Sequence, residues 1–319
     1  MMPGGTPGRS AFIAALPSRS VTPASLLRRA LAERIAPAYA SNVGVVALFV
    51  GGSTARGHAD QFSDLEVGVI WVTPPTDADR RDAIAAAGGD LVWLYPVEEE
   101  GGPVWADAWK IGRRGASPFT GIEVDMHHFL AASVEKTLSD VVDGFDPDVM
   151  KQSLVGAILT GIPLHGLELI HSWQRRAATY PDQLRVAVVR AHAQIEGLWR
   201  LDAYCARGNP VAGYGVLTAA HEELLHTVLG LNRVYFSGFK ALHAVTADLQ
   251  IAPHDLLERV RASYPLRLGP SKETLTGLVE DTHDLIEEHV PEIDVGRLRE
   301  ILRYERPLWD DPAEAGSGP

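Results

Sequence analysis

The chain has 319 residues, 46% of them hydrophobic and 22% charged, which is ample apolar material for packed cores, and at roughly 150 residues per domain the length favours two domains. Lys plus Arg number 29 against 41 Asp plus Glu, a formal net charge of −12, which speaks against a protein whose main task is gripping nucleic acid through a basic surface. The single Cys205 excludes an intramolecular disulfide and a Cys-rich zinc site.

Residues 1–20, rich in Gly, Pro and Ser, are expected to form a loose tail, and so are residues 306–319. The apolar stretch after Arg9 runs only over residues 11–16 before Pro17, too short for the roughly 7–15 apolar residues of a secretion signal. No apolar run approaches the roughly 20 residues that cross a bilayer, so the expected location is cytoplasmic.

The first ordered element should be a helix over residues 23–39, with Thr22 as N-cap, Pro23 at the first helical position and Leu27, Leu31 and Ile35 on one face. The period then changes. Residues 43–50 read as a buried strand ending at Gly51-Gly52, and residues 64–72 as a second strand stopping at Pro74-Pro75. A helix over 76–87 and a strand over 91–95 should follow. Two more β-like runs, 104–111 and 122–130, are joined by Gly112-Arg113-Arg114-Gly115. From Ser133 onward the pattern is helical with no strand expected, and its long segments include 182–207 and 272–289. The expected organisation is an α/β (α+β) domain with a mixed sheet over residues 21–145, followed by an all-α helical domain over 146–305, with the boundary near 144–147.

One segment concentrates the chemistry. A strand ends in Gly51-Gly52-Ser53, ten residues intervene, and Asp64-Leu65-Glu66-Val67 follows. Side chains alternate along a strand, so Asp64 and Glu66 share one face and Leu65 and Val67 the other. Two carboxylates in one small space are unfavourable unless a cation neutralises them, and Mg²⁺, held by one or two carboxylates plus substrate phosphates, is the natural solution. Gly51 and Gly52 let backbone amides approach a phosphate, and if Ser53 opens a short helix its amide and hydroxyl would face the anion.

This pattern resembles the signature of the nucleotidyltransferase superfamily with the DNA polymerase β-like fold: hydrophobic-Gly-(Gly or Ser), a gap of similar length, then Asp-hydrophobic-(Asp or Glu)-hydrophobic. Position 66 carries Glu where Asp is commoner. The superfamily includes enzymes that adenylylate aminoglycoside and lincosamide antibiotics, and uncharacterised relatives with a C-terminal helical domain. The resemblance implies a third carboxylate on a later strand, matched here by Asp125, with Glu123 as the fallback; Glu123, Asp125 and His127 share a strand face. It implies two Mg²⁺ ions held by Asp64, Glu66 and Asp125. Gly51, Gly52 and Ser53 would bind the phosphates of a nucleoside triphosphate, and Arg56 and Lys240 would add positive charge. Lys240 lies in Leu231–Lys240, which is similar to a stretch of the relatives' helical domain. Glu196 is carried over as a candidate general base, against its plain reading as a solvated helix residue.

The implied activity is Mg²⁺-dependent transfer of a nucleoside monophosphate, AMP from ATP first of all, to a hydroxyl of a small molecule such as an antibiotic or related metabolite. Pyrophosphate would be released. Transfer to protein or tRNA is the runner-up within the same fold. A non-catalytic nucleotide-binding regulator or antitoxin-like protein is the rival class. Neither a membrane nor nucleic acid is an expected partner in the first reading.

Other signals are set aside. His221 and His226 are five apart, about 140° around a helix instead of the about 40° of a zinc-protease pair. His128 faces away from Asp125 and is expected to be structural, with His127 open. Trp105 and Trp109 share a strand face, as core or as a pocket wall that could stack on a base or sugar. No Gly-x-Ser-x-Gly elbow, P-loop or dinucleotide-binding glycine motif is present.

Overall fold

A computed structural model describes residues 21–95, 104–111, 119, 121–264 and 271–303. Both expected tails and the Arg113-Arg114 turn lie outside the described residues.

Helix α1 (Pro23–Ala40) starts where expected: the Thr22 side chain accepts from the Ser25 amide and Pro23 stands at the first helical position. Leu31, Ile35 and Tyr39, spaced by four, are buried together. Strand β1 (Val45–Val50) follows. It is shorter than the expected 43–50 because Val43 is 99% exposed. A five-residue helix α2 (Gly52–Arg56) leads to β2 (Leu65–Trp71), and Asp64 sits one residue ahead of that strand. Helix α3 (Asp77–Ala86) opens on a capping box between Thr76 and Asp79. Strands β3 (Gly89–Leu94), β4 (Val104–Ile111) and β5 (Glu123–Leu130) come next. After them run α4 (Ala131–Leu138), a π-helical turn (Ser139–Asp143) and α5 (Val149–Thr160). Then come β6 (Ile162–His165) and α6 (Leu167–Ala177).

The six strands form one mixed sheet in the order β3-β4-β5-β2-β1-β6. Strands β2 and β5 are parallel and the other neighbours antiparallel. One face carries Leu48, Val50, Leu65, Val67, Val69, Trp109, Val124 and Met126, and packs with Leu31 and Ile35 of α1 and Ile84 of α3 in one core. Strand β6 corrects the expectation that no strand follows Ser133. Its four residues include Pro163, too short and too interrupted to show a strand period, yet proline is tolerated here because β6 is the sheet's edge. Gly166 closes it with φ +62°, where an added Cβ would lie 2.1 Å from the Val46 carbonyl oxygen.

The remaining helices are α7 (Asp182–His192), α8 (Arg200–Ala206), α9 (Pro210–Leu231), α10 (Leu242–Thr246), α11 (Leu256–Ala262), α12 (Ser271–His289) and α13 (Val295–Leu302). The single helix expected over 182–207 is therefore two. Residues 193–199 interrupt it, and Gly197 at φ +82° adopts a conformation that a right-handed helix does not contain. No helix among the described residues is long and apolar enough to cross a membrane.

The chain divides into two compact units. The first draws on Met1–Gly144, Asp148–Thr179 and Ser237–Asp248, so it holds the whole sheet and also α10; the second draws on Phe145–Pro147, Tyr180–Phe236 and Leu249–Pro319. Within the second unit, Val189 and Ala193 pack with Leu231, Ile286, Val290 and Val295 in a buried cluster. The architecture is thus an α/β unit built on a mixed sheet, together with a helical unit.

Candidate active site

The carboxylates gather on the sheet face opposite the α1/α3 core. Strand alternation buries Leu65 and Val67 and leaves Glu66 half-buried between them; on β5 it buries Val124, Met126 and His128 and leaves Glu123, Asp125 and His127 half-buried. The parallel register sets Glu66 beside Asp125. The Asp125 carboxyl is pushed above the usual carboxylate range, first by burial and then by the Asp64 charge, with Glu123 and Glu66 adding and His127 opposing. Glu123, the fallback residue, pairs with Lys110 at 3.0 Å.

Gly52 has a specific reason to be glycine. It sits at φ +58°, and a Cβ there would fall 1.4 Å from Glu66 Oε2. The Glu66 carboxylate therefore lies against the backbone of the turn that opens α2, with Gly51 as that helix's N-cap and Ser53 in its first turn. The Gly51 amide donates to the Glu66 carbonyl oxygen at 2.9 Å, which ties the glycine turn to β2. Arg56, at the end of α2, is half-buried; its Nε has no hydrogen-bond partner among the described residues, and the Glu66 charge favours its charged form against burial.

Two arginines that the sequence presents only as part of α1 hold this loop. Buried Arg28 donates through Nε to the carbonyl oxygens of Ser63 (3.0 Å) and Asp64 (3.2 Å). Arg29 donates to the carbonyl oxygens of Thr54 (3.2 Å) and Ala55 (2.9 Å), closing the C-terminal end of α2. The Thr22 hydroxyl donates to the Ala59 carbonyl oxygen at 2.7 Å. Asp60 accepts from the Phe62 amide (2.9 Å) and the Ser63 hydroxyl (3.0 Å), and these bonds lower its pKa. No motif predicts the arginine contacts. Their only sequence trace is a pair of charges on the α1 surface near its apolar stripe.

Lys240 belongs to the first unit, and its Nζ stands 4.0 Å from Asp64 Oδ2. Glu196 belongs to the second unit, in the segment between α7 and α8 instead of on the expected helix; it is exposed and accepts from the Gln194 amide nitrogen. The first unit thus gathers Asp64, Glu66, Asp125, Gly51, Gly52, Ser53, Arg56 and Lys240 without it.

Trp105 and Trp109 pair with His128 and Val124, on the face away from the carboxylates, and Trp109 is fully buried. They do not wall the site. His128 is structural: its Nδ1 accepts from Trp71 Nε1 at 3.0 Å, so Nε2 carries the proton donated to Asp107 at 2.8 Å. His221 is buried, bonded to the Leu217 carbonyl oxygen and the Ser263 hydroxyl.

Among the described residues no three of His, Cys, Asp or Glu are gathered closely enough to hold a metal ion by themselves. Mg²⁺ takes oxygen donors and keeps waters and phosphate oxygens beside one or two carboxylates. The donor set is all oxygen.

No protein-family model matches the chain, and no curated protein matches it. Among solved structures, a nucleotidyltransferase-like protein from Exiguobacterium sibiricum aligns over 85% of this chain and 80% of its own, at 11% identity and a TM-score of 0.37. A likeness that distant has no bearing on the chemistry, which rests on the residues themselves.

Proposed function

We propose that the protein is a Mg²⁺-dependent nucleotidyltransferase that moves a nucleoside monophosphate, AMP from ATP first of all, to a hydroxyl of a small molecule such as an antibiotic or related metabolite. The observation that carries this reading is the pairing of Glu66 with Asp125 across β2 and β5, with the Glu66 carboxylate seated on the Gly52 turn. The glycine turn and the carboxylate pair then stand side by side.

In this reading Asp64, Glu66 and Asp125 would hold Mg²⁺, which would supply positive charge to the phosphates. Gly51, Gly52 and Ser53 receive the terminal phosphates. Arg56 and Lys240 oppose the negative charge that grows on the leaving group. The acceptor oxygen forms a bond to the α-phosphorus as the bond to the bridging oxygen breaks, and pyrophosphate departs. The acceptor hydroxyl, acidified where Mg²⁺ would be held, loses its proton to solvent water.

The test is a thermal-shift titration of the wild type and Asp64→Ala with each of the four nucleoside triphosphates, with and without Mg²⁺. A Mg²⁺-dependent rise in the wild-type midpoint that the variant lacks supports the site and names the donor. Absence of a shift with every nucleotide overturns the reading in favour of a protein that does not use nucleotides.

A further inference from the structure

The carboxylate row continues across the sheet into an aromatic surface. From β2 outward the paired residues are Glu66, Asp125, Ala108 and Trp93, one on each of four neighbouring strands. With strands about 4.8 Å apart, the Trp93 backbone stands roughly 10 Å from that of Asp125, and the side chain between them is only a methyl group. The orientation of Trp93 depends on an irregularity. Leu91 pairs with Trp109 on the core face, but the register shifts between Leu91 and Trp93, so that Trp93 pairs with Ala108 on the carboxylate face. Bulges of this kind re-aim side chains beside active sites. Tyr95 follows on the same side, its amide donating to the Ala106 carbonyl oxygen at 2.9 Å. The Trp93 and Tyr95 rings lie 6.1 Å apart at 54°, and they are 54% and 43% exposed. Two large rings are therefore left exposed near the half-buried Ala106, with buried Ala108 between Trp93 and Asp125 in the pairing.

We propose that Trp93 and Tyr95 form the ring-binding subsite for the acceptor, taking the apolar face of a hydroxylated sugar or aromatic ring and directing its hydroxyl toward Asp125. This rests on the transferase reading for the identity of the partner. The side of the sheet supplies that identity: the Gly51–Ser53 turn lies on the β1 side of Glu66, and the aromatic pair lies beyond Asp125 on the opposite side. A donor whose phosphates occupy the glycine turn leaves the aromatic side to the group that attacks. Stacking on a ring face tolerates varied substituents, so the subsite selects for a ring whose hydroxyl can reach across the roughly 10 Å between the Trp93 and Asp125 backbones.

The experiment titrates the full-length protein calorimetrically with p-nitrophenyl β-glucoside, a hydroxylated ring joined to an aromatic one, and measures the MgATP thermal shift in parallel. Wild type, Trp93→Ala, Trp93→Phe and Tyr95→Ala are compared. Both rings are exposed, so the variants are expected to fold, and their unliganded melting midpoints check this. Trp93→Ala should weaken the glucoside by about tenfold, Trp93→Phe by no more than about threefold, and Tyr95→Ala by an intermediate factor, with the MgATP shift unchanged throughout. No glucoside binding by the wild type, or equal affinity in Trp93→Ala, overturns the subsite. Loss of the MgATP shift in Trp93→Ala also overturns it, because the ring then serves the donor's base. Glucoside binding that depends on Trp93 in a protein that shows no MgATP shift would sink the transferase reading and keep the subsite.

Discussion

On one side of β5, His128 and Asp107 are fully buried in a closed network: Trp71 donates to His128, His128 to Asp107, and Arg80 Nη1 to Asp107 at 2.5 Å, with Arg80 also paired to Asp77. On the other side of the same strand, Asp125 meets the charges of Asp64, Glu66 and Glu123, with Lys240 near Asp64, Arg56 near Glu66 and Lys110 paired to Glu123. The first face neutralises its charges with its own residues and gains a fixed register between β4, β5 and α3. The second sets four carboxylates against Lys240, Arg56 and Lys110, and leaves Asp125 without an ion-pair partner of its own among the described residues. Charge satisfied internally serves the fold, and charge left in surplus is available to a ligand.

The largest effect should come from breaking the closed network. Asp107→Ala takes the buried carboxylate from Arg80, leaving it the exposed Asp77 and the Ala106 carbonyl oxygen, and should cost about 3–5 kcal/mol in a denaturant titration. Next is Gly52→Ala, which needs a left-handed backbone and drives a methyl group into Glu66. It should cost about 1–3 kcal/mol and abolish the Mg²⁺-nucleotide shift. Asp125→Asn should act in the opposite direction to Asp107→Ala. It removes a repelled charge and should raise the metal-free melting midpoint by about 2 °C while eliminating pyrophosphate release. A clear fall in that midpoint would remove the contrast between the faces.

The smallest and most graded effect is on pH. Burial lowers the His128 pKa against the opposing pull of Asp107, with Arg80 and His127 adding to the lowering, and burial with His192 lowers His226 to about 4. In both cases the unfolded chain takes a proton first, so their contribution is complete above the unfolded value of about 6.5 and is lost as pH falls through the lowered folded values. Asp125 has the opposite sign: its contribution is present below the unfolded value of about 3.9 and is lost as pH rises through its raised folded one. A series of metal-free denaturation midpoints between about pH 7 and 4 should therefore fall on acidification, and fall more steeply in Asp125→Asn.

Much of the first unit was legible in the chain itself. The Thr22-Pro23 start of α1, the eight-residue β4 and the alternation of β5 appeared at the expected places, and β1 did so apart from its first two residues. Local signals failed where structure was short or interrupted. Strand β6 has four residues and a proline, and the long helix expected over 182–207 breaks before Gly197. Within the site, the glycine turn and the carboxylate alternation were readable because spacing along one strand fixes a face. The anchoring by Arg28 and Arg29 was not, since its acceptors are carbonyl groups some 25 to 36 residues away.

The sequence by itself determined which residues could share a face, because a strand alternates with period two and a helix turns with period 3.6 whatever surrounds it. It thereby placed Glu66, Asp125 and His127 on one kind of surface and His128 on the other. Only the tertiary structure decided that β5 lies parallel beside β2 and brings Glu66 to Asp125. It also decided that a register shift in β3 turns Trp93 toward them, and that Asp107 reaches His128 through the sheet's buried side. Those outcomes depend on which strands pair and in what register, and pairing is settled by the burial of the whole sheet, not by any window of the chain.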